Sequence, residues 1–236
     1  MNGRHALLAE GLGTAALLAI VVGSGIMGEH LAQGNAAVTL LANALATGAG
    51  LYVLITLLAP VSGAHFNPLV SATIWWHGEL SARHAASYIA AQVIGAIGGV
   101  FIAHAMFDLP LLQTSAHVRS GAGQWLSEIV ATAGLLATIL LASRARSTQI
   151  PALVGSYITA AYWFTASTSF ANPAVTLARA LTGTFAGIRP VDVAGFIAAQ
   201  CIGAIIVIAA SRLLAPRGVS DQNVTIDSTS SANRPS

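Results

Sequence analysis

The sequence predicts an all-α membrane protein of six transmembrane helices plus two re-entrant half-helices, arranged as an inverted repeat. Three observations carry this expectation: long runs without charge, a duplicated set of short motifs, and an Asn-Pro pair in each half of the chain. Of the 236 residues, 55% are hydrophobic and 8% charged, and mean hydropathy is +0.73. A soluble domain carries about a quarter charged residues, so water is not the only solvent in which this chain folds. The ten Lys+Arg residues are all arginine, and a net charge of +2 makes no nucleic-acid-binding face. The single cysteine, Cys201, lies in an apolar run and has no partner for an internal disulfide.

A helix needs about 20 mainly apolar residues to cross a hydrocarbon core of ~30 Å. Charge-free runs over 11–28, 85–107, 129–143 and 193–211 each supply one span. The runs over 30–78 and 147–178 are too long for one helix, so each holds a span with apolar sequence left over. The first run follows Arg4 as a signal peptide would, but its length and its mid-chain copy make it a retained helix.

That copy pairs Ala9-Glu10-Gly11-Leu12-Gly13-Thr14 with Ser127-Glu128-Ile129-Val130-Ala131-Thr132. Asn67-Pro68-Leu69-Val70-Ser71 pairs with Asn172-Pro173-Ala174-Val175-Thr176, and Ala91-Gln92-Val93-Ile94-Gly95 with Ala199-Gln200-Cys201-Ile202-Gly203. Three markers in the same order define a duplication, with repeat 1 over about 6–107 and repeat 2 over about 124–214. Each repeat holds three spans, an odd number, so the second enters the membrane inverted. An N-terminus inside the cell puts Arg4, Arg83, Arg144, Arg146, Arg212, Arg217 and Arg234 on the cytoplasmic side and Arg119, Arg179 and Arg189 outside. The positive-inside rule favours that orientation, with both termini cytoplasmic. Residues 1–5 form a short cytoplasmic segment, 6–214 the membrane domain, and 215–236 a polar tail expected to be disordered and dispensable.

The leftover apolar segments end in Ser62-Gly63-Ala64-His65-Phe66-Asn67-Pro68 and Ser167-Thr168-Ser169-Phe170-Ala171-Asn172-Pro173. Asn is a preferred N-cap and Pro a preferred first helical residue, so each pair reads as a helix start after a non-helical approach. Two half-helices of about nine residues, meeting tip to tip, span about 28 Å at 1.5 Å per residue. That length suits two re-entrant loops meeting at the bilayer midplane. Irregular backbone survives at that depth only where protein buries it or it lines a wet cavity. The carbonyls of Gly63, Ala64, His65, Thr168, Ser169 and Phe170 then form rows of acceptors along a water-filled path, with Asn67 and Asn172 as central donors. The positive helix ends repel cations and let neutral molecules pass.

On these residues the chain resembles the aquaporin, or major intrinsic protein, family over about positions 6–214. The resemblance rests on Ala9-Glu10 with Gly13-Thr14, Ser62 through Pro68, Asn172-Pro173-Ala174-Val175, and Gln92 with Gln200. It implies an aquaporin-like bundle, usually a homotetramer, with one pore per subunit and Asn67 and Asn172 at its centre. Two departures stand out. The first motif reads Pro68-Leu69 where the family has Pro-Ala. Val175 stands where the family usually has the arginine of an outer constriction, whose other positions fall by ungapped spacing on Thr47, Ala160 and Ser169. Four modest side chains without a cation imply a wide, weakly polar filter. Arg179, four residues after Val175, suggests either a displaced positive collar at the outer mouth or a phosphate anchor or cap.

Glu10 and Glu128 occupy equivalent places near span starts. Intramembrane carboxylates suggest proton relays, but the symmetric placement and the resemblance favour bracing of the re-entrant backbones, with Gln92 and Gln200 assisting. His65 is expected beside the pore. Trp75 and Trp76, and also Tyr162 and Trp163, read as an interface belt or packing. Nothing resembles a metal-ligand spacing, nucleotide loop, nucleophile constellation or redox motif, so no enzyme, cofactor or nucleic-acid partner is expected. The expectation is a passive channel in a bacterial inner (plasma) membrane for small uncharged solutes, excluding ions and protons. The wide filter favours glycerol-like polyols over strict water selectivity, and the segment 158–190 with its valine resembles arsenic-resistance-associated members, which implies trivalent metalloid hydroxides such as arsenous acid as cargo. The rival readings are a water-selective aquaporin, an ion-coupled secondary transporter built on the same inverted repeats, and a structural membrane-junction protein.

Overall fold

The computed structural model describes residues 3–213; the tail assigned to 215–236, with Arg217 and Arg234, lies outside the described residues. Eight helices follow in order: α1 Gly3–Leu31, α2 Ala36–Ser62, α3 Pro68–Trp76, α4 Ala82–Met106, α5 Ala122–Arg144, α6 Ile150–Phe164, α7 Pro173–Arg179 and α8 Pro190–Leu213. No strand occurs among the described residues. Five helices have the length and hydropathy of membrane spans, namely α1, α2, α4, α5 and α8.

The sixth span differs from expectation. Helix α6 has only 15 residues, about 22 Å of rise. At its end Thr165 is extended, and the chain leaves the helix early to begin the second re-entrant approach. The half-helices differ too. Helix α3 has nine residues and α7 only seven, so together they span about 24 Å rather than 28.

The burial pattern is that of a bundle in lipid. Leu12, Leu57, Ile94 and Ile205 are 64–72% exposed on helix faces, while Glu10, Gln92, Glu128 and Gln200 are fully buried. Apolar side chains face a solvent as apolar as themselves, and the polar ones must find partners inside. The chain is an integral membrane protein.

Helix α1 packs on α2 and α4, α5 on α8 and α6, and α2 on α6. Small residues set the closest crossings, as expected where packing rather than water exclusion drives association. A Cβ added at Gly95 of α4 would overlap the Gly11 carbonyl of α1, and one at Gly203 of α8 would meet the Ile129 carbonyl of α5. A Cβ at Gly98 would meet nothing. Gly95→Ala should therefore destabilise by roughly 1–3 kcal/mol through overpacking against backbone. Thermal unfolding in detergent should show a clear fall in Tm for Gly95→Ala and none for Gly98→Ala.

Candidate functional site: the pore and its two re-entrant turns

Both re-entrant approaches use one backbone course. Gly63, Ala64 and Phe66 have φ of 89, 51 and 49°; the equivalent Thr168, Ser169 and Ala171 have 59, 50 and 49°. Five of these six are not glycine, and left-handed backbone costs each of them energy. Two carboxylates hold the turns in place. Glu10 Oε1 accepts from Ser62 Oγ (2.6 Å) and the His65 N–H (2.9 Å), and Oε2 from the Phe66 N–H (2.8 Å) and Gln92 Nε2 (2.7 Å). Glu128 Oε1 accepts from Ser167 Oγ (2.5 Å) and the Phe170 N–H (2.9 Å), and Oε2 from the Ala171 N–H (2.9 Å) and Gln200 Nε2 (2.6 Å). Each glutamine donates as well into the adjoining half-helix, to Ser71 Oγ at 3.0 Å and Thr176 Oγ1 at 2.8 Å.

With two N–H groups of each turned onto a carboxylate, these segments present carbonyls on the other side. The carbonyls of Gly63, Ala64, His65, Thr168, Ser169 and Phe170 accept no hydrogen bond from a described residue. All of these residues but Thr168 line one cavity of about 450 Å³. Asn67 caps α3 by accepting the Leu69 N–H, and Asn172 caps α7 by accepting the Ala174 N–H, both at 2.9 Å. Asn172 accepts the Val175 N–H as well, at 3.3 Å, so the second cap has one bond more than the first. Asn67 Nδ2 then donates to the Ala171 carbonyl and Asn172 Nδ2 to the Phe66 carbonyl, both at 2.8 Å. Each amide so ties one re-entrant segment to the other and has a second N–H left over. Pro68 and Pro173 open their helices, where a missing N–H costs nothing.

The cavity runs from Ser143, Ser147 and Thr148 at the α5–α6 end, past His65 and both asparagines, to Val175 and Arg179. Thr47, Ser169 and Val175 line it, as spacing assigned them; Ala160 does not. Ala160 is exposed on the outer face of α6, whereas Ile158 and Tyr162 line the cavity. At 100° per residue, 158 and 162 share a face and 160 lies about 160° from both. Tyr162, 3% exposed, is therefore a cavity residue rather than part of an interface belt, with its hydroxyl 3.3 Å from Thr47 Oγ1. Trp163, Trp75 and Trp76 are 43–48% exposed, as interface residues are.

Arg179 brings a cation to the wall of the cavity that Val175 also lines. It is 1% exposed, lines the cavity, and stacks over Phe170 with Cζ 3.4 Å from the ring centroid. Its Nε donates to the Ala186 carbonyl. This burial excludes an exposed phosphate anchor. Arg119, in the loop joining the repeats, is also held near this ring, 5.0 Å from its centroid. Burial pulls the Arg119 guanidinium below its ordinary value, opposed by Glu128 and Tyr162. The cavity wall around Arg179 is thus amphipathic. Thr47, Tyr162, Ser169 and Arg179 supply polar groups, and Phe170 and Val175 apolar surface.

Comparison with known proteins agrees with this geometry. The model of the family described as major intrinsic protein matches residues 1–169. The chain belongs to the major intrinsic protein family. Aquaglyceroporin AqpS of Rhizobium meliloti (strain 1021) is 57% identical over 207 residues, 88% of either chain. Aquaporin-2 of Rattus norvegicus is 33% identical over 195 residues, covering 77% of this chain and 69% of its own. The aquaglyceroporin structure from Plasmodium falciparum superposes with a TM-score of 0.71 at 22% identity, covering 88% of this chain and 95% of its own, and shows the shared fold. As a major intrinsic protein the chain is a membrane channel for small neutral solutes, a transporter class rather than an enzyme class.

The carboxylate contacts make a direct test. Glu10→Gln and Glu128→Gln each replace an acceptor oxygen by an NH2 facing N–H or O–H donors, at about 1–3 kcal/mol per buried group left unsatisfied. Both variants should lose thermal stability and solute flux together, and to similar extents. A proton-relay role would instead leave Tm unchanged.

Proposed function

We propose that the chain is a passive aquaglyceroporin-type pore of a bacterial inner membrane, conducting glycerol-like polyols and trivalent metalloid hydroxides such as arsenous acid, with water, and excluding ions and protons. The amphipathic filter carries this reading. A polyol has hydroxyls along one side and C–H groups along the other, matching a wall that combines the polar groups of Thr47, Tyr162, Ser169 and Arg179 with the apolar surface of Phe170 and Val175. Arsenous acid is neutral near pH 7, with similar size and hydroxyl pattern. The name of the 57%-identical relative, an aquaglyceroporin, points the same way. The central donors are Asn67 and Asn172, which hold Phe66 and Ala171 and offer their second N–H to solute. Glu10, Glu128, Gln92 and Gln200 brace the turns. The carboxylates have every near partner satisfied within the fold, which favours a passive pore over an ion-coupled transporter. Both termini lie in the cytoplasm, the channel works as a homotetramer, and it needs no cofactor or metal.

Stopped-flow swelling of proteoliposomes tests the cargo. Glycerol and arsenous acid should enter the wild type well above protein-free liposomes; glycerol entry at the protein-free rate would contradict the proposal. Val175→Arg should raise the water-to-glycerol permeability ratio, since a guanidinium fills cross-section that a polyol needs more than water does. Tyr162→Ala should lower that ratio, while Ala160→Leu, on the lipid face, should leave it unchanged. Asn67→Asp or Asn172→Asp should abolish neutral flux or admit cations, and unchanged flux and charge exclusion in both would remove the asparagines from the pore centre.

A further inference from the structure

Arg179 heads the largest fully buried side chains of the described residues, and no carboxylate pairs with it. The one ion pair among the described residues joins Arg189 and Asp192. A buried charge without a counter-ion is costly, so its surroundings must compensate. They do so with the Ala186 carbonyl and the π-face of Phe170, and Nη1 and Nη2 donate to no described residue.

The second guanidinium against this ring comes from the loop between α4 and α5. Arg119 Nε donates to the Gly187 carbonyl (2.8 Å), Nη1 to that of Ser167 (3.2 Å) and Nη2 to that of Phe185 (3.4 Å). Its backbone N–H donates to Asp192 Oδ2 at 2.8 Å, but that carboxylate makes its ion pair with Arg189. The loop is tied down elsewhere. His104, fully buried, lies 2.9 Å from both the Leu111 carbonyl and Thr182 Oγ1, and the Arg189 N–H donates to the His117 carbonyl. Both guanidiniums are held by carbonyls and one aromatic ring, and neither is neutralised.

We infer that Arg119 and Arg179 together form the charge-selecting element of this channel, two guanidiniums on Phe170 that supply the cation position 175 lacks. The inference rests on the cavity being the solute path. Two fixed like charges repel a third cation additively, and more strongly at the protein wall than in bulk water. A neutral solute pays no such repulsion and gains the free Nη donors of Arg179. Arg119 thereby becomes a specificity residue on a loop outside both Asn-Pro motifs. A merely structural role, bracing Phe170 and the loops, would affect stability but not discriminate charge.

Urea and guanidinium test the difference, because they are nearly the same size and shape and differ in charge. Entry of each is measured on the same proteoliposomes of the full-length protein, at non-denaturing concentrations. Arg179→Leu and Arg119→Gln should each raise the guanidinium-to-urea ratio by about tenfold, and the double variant further. Arg179→Lys and Arg119→Lys should keep the ratio near the wild-type value. Folded neutral variants that exclude guanidinium as the wild type does would overturn the inference. So would lysine variants that leak as much as the neutral ones, since shape rather than charge would then be the cause. Should Arg179→Leu fail to fold, the partly exposed Arg119 decides through Gln against Lys. Absence of glycerol entry in the wild type would count against the proposed cargo alone, because the guanidinium-to-urea ratio reads charge whatever the natural solute.

Discussion

Everything in this channel follows from one constraint: at membrane depth no backbone polar group can be left without a partner. A continuous helix meets it internally but leaves nothing for a solute. The two re-entrant segments break the helix and divide the obligation. Two N–H groups of each go to Glu10 or Glu128, and the carbonyls not taken by Asn67 and Asn172 are left mainly for whatever occupies the cavity. A carboxylate suits this task, having two acceptor oxygens and no donor. Five non-glycine residues take left-handed backbone to make that division possible.

The same division leaves each asparagine one N–H without a partner among the described residues. Their carbonyl oxygens are spent on capping α3 and α7, and one N–H of each is spent on the opposite re-entrant segment. Both uses fix the amide so that its remaining hydrogen has a set direction. The cavity wall around Arg179 is built differently, from side chains of α2, α6 and α7 and the second approach. Symmetry ends there: His65, bonded to Ser71 at 3.0 Å, corresponds to Phe170, which carries the guanidiniums.

Much of this was legible in the sequence. Runs without charge located the spans, and the repeated Glu, Asn-Pro and Gln markers located the turns and the residues around them. Those signals are local or periodic, so they survive without coordinates. What was not legible depended on helix phase and on distant loops. Ungapped spacing assigns Ala160 to the constriction, but the turn over 165–171 does not preserve helical phase, and Tyr162 rather than Ala160 faces the cavity. The adjacent aromatic Trp163 made Tyr162 look like an interface residue. Arg119 had no motif at all, since its closeness to Phe170 arises only when the loop joining the repeats folds over α7. Lengths misled in a similar way: the apolar run holding α6 and α7 is long, yet α6 itself ends after 15 residues because the chain must turn back.

Amide hydrogen exchange tests the central claim most directly. His65, Phe66, Phe170 and Ala171 lie outside any helix, and all but Ala171 line the cavity, so accessible backbone there would exchange quickly. The account predicts that their amides in the wild-type channel are protected nearly as strongly as those in the middle of α1 or α5, because Glu10 and Glu128 hold them. Fast exchange at these four amides, with the surrounding helices still protected, would show that the carboxylates do not hold the turns and would contradict it.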